Sequence, residues 1–84
     1  MAAVTVNKVK YNVNGSLRDQ IYNISGNSGD TLQIGYFNVM KIDNNPGSLI
    51  TAVASAPGTI PGTSIITFTS SAAMVNEIVE VLGN

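Results

Sequence analysis

Residues 64–83 read Ser64-Ile65-Ile66-Thr67-Phe68-Thr69-Ser70-Ser71-Ala72-Ala73-Met74-Val75-Asn76-Glu77-Ile78-Val79-Glu80-Val81-Leu82-Gly83, and the fold turns on whether their second half is strand or helix. The first seven residues read as a strand. Ile66 and Phe68 fall on one face and Ile65, Thr67 and Thr69 on the other, the two-residue period of a pleated backbone. From Ser71 onward two readings compete. As a helix, Ser71 caps it, Met74, Val75, Ile78, Val79 and Leu82 form an apolar stripe, and Gly83 ends it. Against that, Val75, Ile78, Val79 and Val81 are β-branched, and Glu77 to Leu82 also alternates as a strand does. A strand is the expectation here, with residues 71–76 as a connection that has room for one helical turn.

The rest of the chain reads as hairpins. Val4 and Val6, then Val9, Tyr11 and Val13, alternate with polar neighbours. The phase slips by one residue around Asn7-Lys8, which predicts a β-bulge or a change of face. Asn14-Gly15 follows, and both residues tolerate the positive φ of a tight hairpin turn. The return strand is expected over Leu17 to Ser25, and Gly26 to Asp30 is a turn. Thr31 to Tyr36 alternates through Leu32, Ile34 and Tyr36, with Gly35 weakening it or marking a close backbone approach. Phe37 to Ile42 carries apolar residues on both sides and reads as a strand covered on both faces.

All three prolines precede glycine, at Pro46-Gly47, Pro57-Gly58 and Pro61-Gly62. Proline presets φ and glycine supplies the positive φ of a type II turn, so each pair cuts the chain. Asp43 to Gly47 is then a turn, Ser48 to Ser55 a strand, and Ala56 to Thr63 a loop too proline-bearing for a central strand. Six to seven short strands at spacings of about 8 to 12 residues predict an all-β fold. Residues 1–84 form a single domain, a small antiparallel β-sandwich or barrel.

Composition sets the functional bounds. The chain has no histidine, cysteine or tryptophan, and only four basic and five acidic residues, for a net charge of -1. At 44% hydrophobic and 11% charged it lies far from disordered chains, since about 25% charged is typical even of globular ones. Four scattered cations make no basic stripe for nucleic acid. No run of about 18 apolar residues appears that would span a membrane as a helix. The N-terminus lacks the basic start and long apolar core of a signal peptide, which points to synthesis in a cytoplasm. Chains of this size bury only about 60 to 65% of their extended surface and often need a staple. A disulfide and a histidine or thiolate zinc site are both impossible, so self-association or docking on a larger assembly is expected.

A search for chemistry returns contact surfaces. Asp43-Asn44-Asn45 lacks the spaced acids and bidentate glutamate of a calcium loop and reads as an Asx-rich turn. Glu77 and Glu80 would point to opposite faces of a strand. The serines and threonines have no histidine to activate them, and the glycines follow no phosphate-binding pattern. No catalytic residue, cofactor or metal is therefore expected. Tyr11, Tyr22, Tyr36, Phe37 and Phe68 lack interleaved cations, which favours core packing for the phenylalanines and rim or interface roles for the tyrosines. The outward Ile65 and the two-sided runs at 37–42 and 78–82 leave surplus apolar surface. Tyr36, Phe37, Val39, Ile65, Val79 and Val81 are the candidate interface residues. Lys8 and Lys10 mark the first strand as an edge guarded against pairing.

Residues Gly62 to Ala73, running Gly-Thr-Ser-Ile-Ile-Thr-Phe-Thr-Ser-Ser-Ala-Ala, together with Glu77-Ile78-Val79-Glu80-Val81-Leu82-Gly83, resemble the C-terminal hairpin of small β-rich proteins encoded among the head genes of tailed bacteriophages. The central Gly29-Asp30-Thr31-Leu32 before a strand is similar to the same group. The likeness covers about two-thirds of the chain, in pattern more than identity, and carries no catalytic motif. It implies a structural protein located in the virion, a capsid decoration or cement protein. Its implied partners are the major capsid protein or other virion proteins, and further copies of itself in a homo-oligomer. Two alternatives stand beside it. One is a tail or neck component, or a glycan-binding surface module using Tyr22 or Tyr36. The other is a small inhibitor of a host protein.

Overall fold

The computed structural model describes residues 2–14, 17–44 and 49–84. Seven strands follow one another: β1 (Thr5–Asn14), β2 (Leu17–Gly26), β3 (Thr31–Ile34), β4 (Val39–Asn44), β5 (Ile50–Pro57), β6 (Ser64–Ser70) and β7 (Met74–Gly83). They form two antiparallel sheets in the orders β1-β2-β7-β4 and β3-β6-β5. Two half-buried sheets with one shared core make a sandwich, as the strand spacing predicts.

The decisive segment is a strand. β7 lies between β2 and β4, so both of its backbone edges find partners. β2 pairs along most of its length and β4 along Val79 to Gly83, which gives its backbone groups partners without a helix and lets the β-branched residues pack on a pleated surface. Val79 and Val81 point inward and are fully buried, leaving Ile78, Glu80 and Leu82 on the outer face. The strand begins at Met74, three residues before the expected Glu77, and no helical turn precedes it.

The core lies between the sheets. Tyr22, Ile24, Met74, Val79 and Val81 from one sheet meet Leu32, Ile34, Ile50, Ile66 and Phe68 from the other, and Tyr36 and Val4 complete the cluster. β6 occupies residues 64–70 as expected, with Ser64, Ile66 and Phe68 all inward. The slip near Asn7 is a register shift between Val6 and Lys8 in β1, matched by a second where Val75 and Asn76 of β7 stand opposite Ser25 of β2. The bulges are tied together. The Asn7 side-chain amide lies within bonding distance of Asn23 Oδ1 (3.1 Å), Ser25 Oγ (2.9 Å) and Asn76 Oδ1 (3.2 Å). Asn76 itself has φ of 51°, a conformation that asparagine adopts more readily than most residues.

Three expectations shift. Residues 37–42 are not a strand covered on both faces. β4 starts at Val39 and is an edge strand, and Met40 is 62% exposed. β7 takes only one of its edges, and on the other side Met40 shares a shallow depression with Val53 and Ser55 of β5. β5 runs two residues past the expected Ser55 and ends on Pro57, which an edge strand accepts because one row of N–H groups needs no partner. The aromatic roles are reversed in part: Tyr22 and Tyr36 are core residues and Phe37 is 68% exposed, whereas Phe68 is buried and Tyr11 exposed as expected. The turns expected at Asn14-Gly15 and Asp43 to Gly47 fall on or run into Gly15 and residues 45–48, outside the described residues.

β1 is an edge strand and carries Lys8 and Lys10, both exposed. Lysines on an edge deter pairing because a second chain would have to desolvate them. Replacing both with valine is expected to promote aggregation, read as light scattering on incubation at fixed concentration. Unchanged solubility of that variant would remove the guarding role.

Candidate functional site

The two sheets differ in charge. Lys8, Lys10, Arg18, Asp19, Lys41, Asp43, Glu77 and Glu80 all lie on strands of the four-stranded sheet, and Asp30 lies on the β2–β3 turn. Cross-strand registry sorts the outer face of that sheet into rows: Lys8-Asn23-Ile78, Lys10-Ile21-Glu80-Asp43, and Asn12-Asp19-Leu82-Lys41. Three carboxylates therefore cluster at its centre, where Asp19, Asp43 and Glu80 share a shallow depression with Lys41 and Leu82. Lys41 pairs with Asp43 at 3.5 Å.

Glu80 shows the consequence of that crowding. Its carboxyl is held above the usual range, first by a hydrogen bond shared with Asp19 and then by the Asp19 charge, with Asp43 adding to the effect and Lys41 opposing it. A carboxyl raised in the folded state binds its proton more tightly there than in the unfolded chain. Its favourable contribution is then complete below the unfolded glutamate pKa of about 4.3 and is lost as pH rises through the folded value. Glu80→Gln keeps a donor beside Asp19 without the charge. Its melting temperature is expected to exceed that of the native chain near neutral pH, with the gap closing under acid conditions. Parallel melting curves for the two proteins across the acid range, showing no convergence, would disprove the coupling.

The three-stranded sheet has no charged residue on any strand, and no charge falls between Asp43 and Glu77 in the sequence. Registry places Ala52, Ala54 and Ala56 of β5 beside Thr69, Thr67 and Ile65 of β6, with Thr31 and Gln33 of β3 beyond them. The outer face is thus uncharged and, apart from Gln33, built of small or β-branched side chains. That blank in the charge pattern was present in the sequence and is the signal that residue-by-residue reading misses.

The six candidate interface residues divide. Tyr36, Val79 and Val81 are fully buried in the core and present no surface to a partner. They were surplus only on the assumption that both sides of their strands lay outside one core. Val39 is half-buried against that core, Ile65 is half-buried on the outer face of β6, and Phe37 is exposed. Phe37 and Val39 line a shallow depression with Ser55, Ala56, Pro57 and Ser64, so these two meet at the β5 side of the sandwich. Ile65, on the outer face of β6, does not line that depression.

The buried tyrosines are inert. Burial pushes the Tyr22 phenol up to about 12, helped by Tyr11 and Tyr36, and its hydroxyl donates to Gln20 Oε1. Burial likewise raises Tyr36, as does the Asp19 charge, against the lowering pull of Arg18. Neither ring is available to stack on a sugar. Among the described residues no group of three or more acidic side chains is arranged to hold a metal ion, and no helix is long and apolar enough to cross a membrane.

Fold and surface together define a class: an all-β sandwich with one charged sheet and one uncharged sheet. No family model, curated protein or solved structure matches the chain.

Proposed function

We propose that this chain is a non-enzymatic structural protein of a bacteriophage particle, a capsid decoration or cement subunit that joins neighbouring shell proteins. The observation that carries the reading is the uncharged three-stranded sheet, which offers a second protein a face without a single ion to desolvate. Protein surfaces that face only water normally mix both signs of charge. The head-protein pattern of residues 62–73 and 77–83 supports the same reading, with the major capsid protein or another virion protein as the partner. On a lattice each modest contact gains from its neighbours, because a subunit held at one point meets the next site at high effective concentration. Rigid shape and complementary surface suffice for that work.

The test is the copy number of this chain in purified particles, measured by quantitative mass spectrometry against the major capsid protein. A ratio near one, or a simple fraction of it, is expected. A handful of copies per particle would move the protein to the tail or neck, and absence from the particle would overturn the assignment.

A further inference from the structure

A sandwich of two open sheets has four edges, and three of them here are closed to pairing. β1 carries Lys8 and Lys10 and a register shift between Val6 and Lys8. β4 is interrupted by a shift between Val39 and Lys41 and bears the Lys41–Asp43 ion pair. β3 is four residues long, and its free side is taken by the N-terminal segment. There the Val4 N–H donates to the Thr31 carbonyl at 2.8 Å, and the Thr31 N–H donates to the Ala2 carbonyl at 2.9 Å. Bulges, lysines and covering segments are the devices by which proteins blunt an edge.

β5 has none of these between Ala52 and Ala56, although Pro57 blunts its last position. Past the shift between Ile50 and Ala52 its register with β6 runs unbroken from Ala52 to Pro57, and the strand carries no charge. Among the described residues, the backbone of 52–56 pairs with β6 alone. The segment Ala52-Val53-Ala54-Ser55-Ala56 also reads nearly the same in both directions. A twofold axis through Ala54 sets Ala54 opposite its own copy, Ala52 opposite Ala56, and Val53 opposite Ser55. Every facing pair is small and neutral, which an isologous contact requires because each residue meets the same surface on its partner.

The surroundings fit the same occupant. Met40 and Phe37, at 62% and 68% exposure, lie beside this edge. Met40 shares a depression with Val53 and Ser55, and Phe37 shares one with Ser55 and Ala56. A chain added along β5 would cover both.

We propose that two copies of this protein pair antiparallel through their β5 edges about a twofold axis at Ala54, forming a continuous six-stranded sheet in the order β3-β6-β5-β5-β6-β3. The contact is between identical chains and stands whether or not the protein belongs to a virion.

Sedimentation of the purified full chain from about 1 μM to about 1 mM tests it. A monomer–dimer equilibrium is expected. Ala54→Lys places like charges face to face at the axis and is expected to weaken dimerisation about 100-fold or more, with the melting temperature of the monomer kept. Mixing Ala54→Lys with Ala54→Glu is expected to restore a dimer, a rescue that only an axis near residue 54 produces. The chain lacks cysteine, so Ala54→Cys gives a single thiol. Facing Cα atoms in an antiparallel pair lie roughly 4.5 to 5.5 Å apart, within disulfide reach, so mild oxidation should cross-link it. A native chain that stays monomeric throughout, or a dimer untouched by Ala54→Lys and not cross-linked through residue 54, overturns the proposal.

Discussion

Gly83→Ala is expected to lower stability by about 3 kcal/mol, one of the largest losses any single methyl could cause in this chain. Gly83 sits near the end of β7, paired with Arg18 of β2 on one side and Val39 of β4 on the other. It continues the inward series of Val79 and Val81 and is itself buried. A Cβ there would collide with the Asn38 backbone carbonyl and would stand 2.7 Å from Cδ2 of the Tyr36 ring. Neither neighbour can move cheaply. The Asn38 carbonyl accepts the Asn84 N–H at 3.0 Å, and Tyr36 has no exposed surface. For a chain of this length about 3 kcal/mol corresponds to a fall in melting temperature of roughly 12 to 24 °C. Gly83→Val adds branches to the same collision and is expected to yield no soluble folded protein. Thermal denaturation followed by circular dichroism reads the effect, and an alanine variant melting within about 2 °C of the native chain would mean that the backbone at Asn38 yields freely.

Gly83 looks like punctuation at the end of an apolar run, and its true constraint comes from Tyr36 and Asn38, far away along the chain. Local alternation was a good guide where each strand meets its neighbour in sequence. The β1–β2 hairpin, the bulge at Asn7, the limits of β6 and the edge position of β1 all followed from period and from lysine placement. Period also contained the answer for Tyr36, because Leu32, Ile34 and Tyr36 share one phase and all three are buried. A rim role for the tyrosines conflicts with that phase, which places Tyr36 inward and Phe37 outward. A phenol enters a core without penalty when a backbone carbonyl receives its hydrogen, and no alternation pattern shows that carbonyl. Pairing between distant strands was not legible either. Nothing near residue 78 shows that β7 lies between β2 and β4, so the two-sided runs looked like surplus surface. The charge-free interval from Asp43 to Glu77 was legible, and it becomes informative only when β3, β5 and β6 are known to share a sheet.

Tyr36 carries the second large effect. The chain leaves the three-stranded sheet at Ile34 and enters the four-stranded sheet at Val39, and Tyr36 plugs the end of the core between them. Three other strands hold it. From β7, the Val81 carbonyl accepts the phenol hydrogen at 3.2 Å, and from β6 the Ser64 hydroxyl donates to the Tyr36 carbonyl at 2.8 Å. From β2, Arg18 stands 5.9 Å above the ring centroid and donates to the Gly35 carbonyl at 2.7 Å. Two variants separate packing from polarity. Tyr36→Phe keeps the ring and removes one neutral hydrogen bond, a loss of about 1 kcal/mol. Tyr36→Ala leaves a cavity where two sheets and a crossing meet, and it is expected to cost about 3 to 5 kcal/mol. A domain this small has little more than that in reserve, so the alanine variant should be largely unfolded at 37 °C while the phenylalanine variant folds. Urea titration of both proteins gives the two values directly. Equal losses would place the contribution in the hydroxyl. A mild loss for alanine would mean that the sheets close over the gap and that Gly83, no longer pressed by the ring, tolerates a side chain after all.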